Sequence, residues 1–151
     1  MKLLLWVGTS PIAGQGLFTA QAITRGTRIL QYTGEKIAKA ESATRVAEGN
    51  NYIFELNARY DIDGKVRRNT ARYINHSCTP NCTVQLTTRT IWIVARRDIS
   101  PGEELTYNYG YELDETPVQP CTCGAATCCG FILAPPYQDV VRQQRARDRS
   151  V

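Results

Sequence analysis

Asn75-His76-Ser77-Cys78-Thr79-Pro80-Asn81-Cys82 holds the only histidine of the chain and two of its six cysteines. Pro80-Asn81 is a turn signal that closes the stretch. Three readings fit so dense a group of reactive side chains: a Cys-His nucleophilic pair, a metal site or a buried structural turn. His76 and Cys78 are two residues apart, so on extended backbone they share a face and could act together. The other cysteines bear on the choice.

Those lie in Cys121-Thr122-Cys123-Gly124-Ala125-Ala126-Thr127-Cys128-Cys129-Gly130, a C-x-C-x4-C pattern with one further adjacent cysteine. Zinc takes four soft ligands in a tetrahedron. A loop of this length can wrap three thiolates round one ion, and its glycines permit the tight turns. Adjacent Cys128 and Cys129 are awkward ligands for the same ion because neighbouring side chains diverge. The fourth ligand is therefore expected from Cys78 or Cys82, which would pin the C-terminal segment against the opening stretch. A set of buried free thiols is the plainer alternative.

A chain of 151 residues suits one domain with a single core. It carries 42% hydrophobic and 21% charged residues, an ordinary balance for a globular chain. Leu3-Leu4-Leu5-Trp6-Val7 is too short for a signal-peptide core or a membrane span. The expectation is an intracellular protein without membrane association or structural disulfides, whose cysteines serve metal or catalysis. The formal charge of +4 is uneven: residues 142–151 set four arginines against Asp148 and hold +3 of it. A zinc ion on four thiolates would take the remaining body to −1. No direct nucleic-acid binding is expected from such a body. The arginine-rich end reads as a mobile basic tail.

Short apolar runs between turn signals dominate the chain. They predict strands over Leu3–Val7, Arg28–Tyr32, Tyr52–Leu56, Tyr60–Ile62 and Thr90–Ala95, with turns at Asp63-Gly64 and Pro101-Gly102. Ala38–Glu48 predicts a helix stopped by Gly49-Asn50. A helical turn is expected from Thr70 to Ile74, capped by Asn69. From Pro117 the composition shifts to a Pro-Val-Gln-Pro linker, the cysteine cluster, Ala134-Pro135-Pro136 and the basic end.

Four segments together resemble the SET-domain family of protein-lysine methyltransferases with its post-SET zinc segment. They are Ser10-Pro11-Ile12-Ala13-Gly14-Gln15-Gly16-Leu17-Phe18, then Tyr32-Thr33-Gly34-Glu35, then Arg72-Tyr73-Ile74-Asn75-His76-Ser77-Cys78 through Cys82, then Gly102-Glu103-Glu104-Leu105-Thr106-Tyr107-Asn108-Tyr109. The cysteine cluster with Gly130-Phe131-Ile132 follows them. A lone GxG is weak; the later motifs, in this order and spacing, are specific. The resemblance implies a mainly β, β-clip-like SET fold of several small sheets and few short helices. It further implies a threaded NHSC segment and a C-terminal zinc-binding post-SET loop. The expected division is a SET domain over 1–113, a post-SET zinc segment over 114–134 and the basic tail over 135–151.

The resemblance also implies S-adenosylmethionine as cofactor and one structural zinc ion. It gives Gly14 and Gly16 the turn that admits the cofactor, and Asn75 and His76 contacts to it. It gives Tyr109 the catalytic position beside that cofactor, and Tyr107 the position that tunes how many methyl groups are added. It gives Cys78, Cys121, Cys123 and Cys128 the zinc. On this reading Cys78 is a held thiolate, not the nucleophile of a hydrolase. Three departures stand out: Asn108 replaces the usual Asp, Cys129 replaces a common Arg, and the insert between Ala38 and Tyr60 is short, with no clear cysteine-rich segment ahead of the domain.

Methyl transfer to lysine is an in-line displacement that needs aligned reactants, excluded water and a neutral amine. A free lysine has a pKa near ~10.4, so only about one in a thousand is neutral near pH 7.4. Aromatic walls lower that value by desolvation. Tyr32, Tyr52, Tyr73, Tyr107, Tyr109 and Tyr111 could supply them, although tyrosines so spaced are also common packing residues. The expected partner is a protein substrate with an exposed lysine in a basic segment, drawn to an acidic patch at Glu112, Asp114 and Glu115. The chain is expected to act as a monomer and to give mainly monomethyl-lysine. The setting is cytoplasmic if bacterial, with the nucleus as the alternative. A non-catalytic module that binds a basic peptide or partner protein is the competing function.

Overall fold

The computed structural model describes residues 2–113 and 118–150. The expected domain boundary at 113/114, the linker residue Pro117 and the acidic residues Asp114 and Glu115 therefore fall at or outside the described residues. The fold is mainly β, as the resemblance implies. A hairpin of β1 (Leu5–Thr9) and β2 (Gln15–Thr19) stands at the start. β3 (Arg28–Tyr32), β9 (Ile91–Ala95) and β8 (Cys82–Leu86) form an antiparallel sheet in that order, and β4 (Glu35–Ala38), β6 (Tyr60–Asp63) and β5 (Ile53–Glu55) form another. β7 (Asn75–His76) and β10 (Thr106–Tyr107) make a short parallel pair.

Alternation explains the central strand. Ile91, Ile93 and Ala95 of β9 are buried while Trp92 and Val94 are half-buried, the period-2 pattern of a strand with one face on the core. Leu17, Ile74 and Leu105 close the core from the hairpin side and are fully buried. Strands with weak intrinsic signals form by pairing. β4 reads Glu-Lys-Ile-Ala and buries only Ile37, yet it pairs along its whole length with β6. Two-residue β7 and β10 have no strand signature; each exists because the other lies beside it.

The helix α1 spans Lys39–Ala47. It ends in a Schellman arrangement: the Gly49 N–H donates to Val46 O at 2.9 Å and the Asn50 N–H to Arg45 O at 2.9 Å. Only Ser42 of this helix is buried, so apolar packing does not hold it. Arg45 instead donates to Glu41, Glu35 and Asp63 at 2.7–2.8 Å, and Lys39 to Glu55 and Asp61 at 2.6–2.9 Å. Burial pushes the Asp63 carboxyl up, but hydrogen bonds from Arg45, Asn50 and the Lys65 N–H outweigh it and hold it below its ordinary value.

Two local expectations are corrected. A 3-10 turn forms over Thr70–Tyr73, but the Asn69 side chain does not cap it. Asn69 is fully buried and bridges the Thr33 N–H and the Gly64 carbonyl, tying two loops together. The end of the chain is not a mobile tail: Pro135–Asp148 form a second helix, α2. Its two prolines occupy the first helical positions, where no N–H is needed, and its Gln and Arg residues are good helix formers. Gln138 is buried, the Arg142 Nε–H donates to Thr127 O at 2.8 Å, and the Arg145 guanidinium lies over the Phe131 ring. No helix of the described residues is long and apolar enough to cross a membrane.

Candidate active site

The parallel ladder sets the geometry. Asn75 and His76 lie opposite Thr106 and Tyr107, and the Ser77 N–H donates to Tyr107 O at 3.2 Å. In this register Tyr107 bonds to the residues on either side of His76, so the backbone N–H and C=O of His76 turn away from β10. Buried Asn81 clamps the same strand: its carbonyl oxygen accepts the Thr106 N–H at 2.9 Å and its amide donates to Glu104 O at 2.8 Å. Sequence reasoning assigned Asn81 only a turn. Its pairing with β10 has no local signature.

The His76 ring is enclosed. The Tyr109 N–H donates to Nδ1 at 3.1 Å, which leaves the ring proton on Nε2, 3.7 Å from Cys78 Sγ. Burial lowers its pKa to about 4, so the ring is neutral at pH 7. It therefore acts as an internal brace, and only the backbone edge of His76 is turned outward.

Asn75 does similar work at the first motif. Its side-chain N–H groups face Ser10 Oγ, Ala13 O, Gln15 O and Glu104 Oε1 at 2.8–3.1 Å. The Ser10 hydroxyl also lies 2.8 and 2.9 Å from the two Glu104 carboxylate oxygens. Gly14 and Gly16 then serve different ends. Gly14 has φ +48° and forms the turn at the cavity edge; a Cβ on Gly16 would collide with the Glu104 carboxylate. Glu104 organises the glycine turn, and the sequence alone does not show it, because its partners at positions 10 and 75 are remote in the chain.

Tyr109 stands at the junction of two cavities, and Tyr107 lines the first of them. One, of about 460 Å³, is walled by Tyr32, Tyr52, Phe54, Tyr107, Tyr109 and Tyr111. Ring centroids run 5.1 Å from Tyr32 to Phe54, 5.7 Å from Phe54 to Tyr107, 5.0 Å from Tyr107 to Tyr109 and 5.7 Å from Tyr109 to Tyr111. Arg72 lines the same cavity, stacks on Tyr73 and donates to the Tyr73 hydroxyl at 2.7 Å. Its buried Nε has no partner among the described residues. The second cavity, of about 370 Å³, is bounded by Ile12, His76, Cys121, Thr122 and Ile132. Ala13, Asn75, Tyr109 and Gln119 border both cavities.

The hydroxyl of Tyr109 donates to Ile74 O at 2.9 Å and that of Tyr32 to Tyr52 O at 2.8 Å. Burial raises the pKa of Tyr32, Tyr107 and Tyr109 above the ordinary phenol range. All three are therefore neutral at pH 7, and none is a phenolate base. The Tyr107 hydroxyl has no protein hydrogen-bond partner among the described residues.

The thiols separate cleanly. Sγ atoms of Cys78, Cys121, Cys123 and Cys128 all lie within 4.8 Å of one another, with Cys78 3.7 Å from Cys128 and 3.9 Å from Cys121. Zinc–sulfur bonds of about 2.3 Å in a tetrahedron require sulfur separations of about 3.8 Å. The donor set and spacing fit a zinc ion. Cys129 is fully buried with Sγ 3.2 Å from Phe131 O, and Cys82 is buried in the core, so neither joins the cluster. The Thr122 hydroxyl donates to Ile12 O at 2.7 Å, which ties the cysteine loop to the glycine turn across the second cavity.

The ladder, the paired cavities and the four-thiol loop together define a SET-type domain. The SET domain family model matches residues 14–110. Histone-lysine N-methyltransferase, H3 lysine-4 specific, of Schizosaccharomyces pombe is 37% identical over 141 residues, covering 87% of this chain and 15% of that protein. Histone-lysine N-methyltransferase set-2 of Caenorhabditis elegans is 35% identical over 141 residues, covering 87% of this chain and 9% of that protein. Among solved structures, KRYPTONITE in complex with mCHH DNA, an H3(1-15) peptide and SAH superposes with a TM-score of 0.74 and 31% identity, over 87% of this chain and 30% of that one. The chain belongs to the SET-domain family. It spans about 15% or less of the length of these two curated relatives.

Proposed function

We propose that this chain is a protein-lysine methyltransferase domain that uses S-adenosylmethionine and acts on a lysine in a basic, histone-like segment. The observation that carries the reading is the meeting of two cavities at Tyr109, one aromatic and one bordered by the zinc loop. The relatives are histone-lysine methyltransferases and the solved neighbour holds SAH and an H3 peptide, which supports both the cofactor and the substrate class. A histone-tail substrate favours a nuclear setting over a bacterial cytoplasm.

The cofactor, when bound, would supply a sulfonium-bound methyl group beside Tyr109, where the two cavities meet. The outward backbone edge of His76 is suited to its nucleoside. The Arg72 guanidinium lines the aromatic cavity and presents a cation there that suits the cofactor's carboxylate. The aromatic cavity takes the lysine side chain, strips its water and favours the neutral amine. Tyr109, held by Ile74 O and by the His76 ring, orients amine and methyl in line. The proton released from the amine passes to solvent through the open cavity. Tyr107 offers a hydroxyl with no partner among the described residues to the amine or to one ordered water, which favours monomethyl-lysine as the main product.

Purified protein, isotope-labelled S-adenosylmethionine and an H3-tail peptide test the proposal. Label in lysine is the expected result. Cofactor binding with no transfer to the peptide or to a panel of basic proteins would instead favour a non-catalytic peptide-binding module.

A further inference from the structure

The departure at Asn108 has a structural counterpart in α2. The Asn108 Nδ2 donates to Leu133 O at 3.1 Å. The same carbonyl accepts the Gln138 Nε2–H at 2.7 Å. Gln138 is 2% exposed and Leu133 fully buried, so this carbonyl would otherwise lack partners away from water. One residue on, the Ala134 N–H donates to Tyr111 O at 2.8 Å. The junction 133–134 thus grips the chain at Asn108 and at Tyr111, on either side of Tyr109.

One turn further along the same face, α2 reaches the zinc loop. The Gln138 Oε1 accepts from Arg142, whose Nε–H donates to Thr127 O beside Cys128. An aspartate at 108 could still accept the Gly110 N–H, as the Asn108 Oδ1 does at 2.8 Å. It could not donate to Leu133, and a carboxylate oxygen would face a carbonyl oxygen with no hydrogen between them.

We propose that Asn108 and Gln138 are positioning residues for Tyr109: through the Leu133 carbonyl they make α2 a strut between the tyrosine strand and the zinc loop. The catalytic part of this statement rests on the methyltransferase reading above; the strut itself does not.

Asn108→Asp, Gln138→Met and the double variant, each in the full chain, test it. The readouts are kcat and KM on an H3-tail peptide, zinc content, and amide hydrogen exchange at Ala134 and Gly110. Each single variant should lower kcat about tenfold, leave KM for the cofactor within about twofold and keep zinc at wild-type content. Ala134 exchange should rise about tenfold in both. The double variant should be no worse than the more severe single one, because both residues act on one carbonyl. Unchanged Ala134 exchange, unchanged kcat in an active enzyme, or additive losses would overturn the proposal. If Asn108→Asp fails to fold, Gln138→Met carries the same test. A wild-type chain that transfers no methyl, yet shows the expected exchange changes, would remove the methyltransferase reading and leave the strut standing.

Discussion

Two walls flank the tyrosines, and they are built by different physics. The insert wall, β4, α1, β5 and β6, is self-contained: backbone ladders, a Schellman stop and a lattice of ion pairs through Arg45 and Lys39 complete it. Among the described residues, the C-terminal wall has no such lattice at its centre. Its residues 118–133 form almost no sheet and converge on four thiols, with α2 as an outer brace. The first wall is fixed when the chain folds. The second is completed by an ion, since a metal that binds only the folded arrangement adds its binding energy to folding. This contrast predicts that the two walls can be broken separately.

The largest effect should come from the metal. Chelation, or Cys121→Ser, should reduce methyl transfer to background and speed amide exchange over 118–133 while β3, β8 and β9 keep their protection. Zinc analysis with exchange mass spectrometry reads this. Full zinc content in Cys78→Ala would remove Cys78 from the ligand set. Equal exchange in metal-loaded and chelated protein would erase the contrast between the walls.

Asp63→Asn breaks the other wall. The buried carboxylate accepts from Arg45, Asn50 and the Lys65 N–H, and losing its charge should cost about 1–3 kcal/mol of stability. Thermal unfolding should shift down by several degrees with zinc content unchanged. A loss of zinc in this variant would show that the walls are not independent.

A product change of intermediate size is expected from Tyr107→Phe. Removing its hydroxyl should raise the rate of the second transfer relative to the first by roughly tenfold, a difference of about 1.4 kcal/mol. Intact-mass time courses should show more di- and trimethyl-lysine. An unchanged ratio would reduce Tyr107 to a wall of the cavity.

Acid should produce the smallest effect. Asp63 and Glu35 have pKa values held below the ordinary carboxylate range, Asp63 by hydrogen bonds that outweigh its burial and Glu35 by its hydrogen bond from Arg45. Their stabilising contribution is therefore fully present only above their ordinary values of 3.8 for Asp63 and 4.5 for Glu35, and is lost as pH falls through their lower folded values. Unfolding measured from pH 6 to pH 3 should show α1 loosening only in the last unit or so. Loosening already complete at pH 5 would contradict the pairing.

The contrast also explains what could be read from the residues alone. Arg28–Tyr32, the helix at Ala38–Glu48 and the strand at Thr90–Ala95 carry their own periodicity and stop signals, and they formed within a residue or two of expectation. The four cysteines gathered as the family resemblance implied: the spacing of Cys121, Cys123 and Cys128 is a strong local signal, and only the resemblance singled out Cys78. β4, β7 and β10 were illegible because pairing, not propensity, makes them strands. Glu104, Asn81 and Asn69 act through partners far along the chain, and no window of sequence contains both ends of such a bond. The end of the chain misled for a related reason. Its arginines suggested a solvated tail, but Gln138 and Arg142 find acceptors at Leu133 and Thr127 that only the folded zinc loop presents.

The most direct test of the central claim, that methyl transfer takes place where the two cavities meet at Tyr109, is a single-turnover comparison of the wild-type chain with Tyr109→Phe on an H3-tail peptide, with cofactor affinity measured alongside. The phenylalanine keeps the wall and removes only the hydroxyl bonded to Ile74 O. The expected result is a fall in the transfer rate of about a hundredfold or more with S-adenosylmethionine affinity nearly unchanged. Near wild-type transfer by the variant would contradict it and leave Tyr109 as packing.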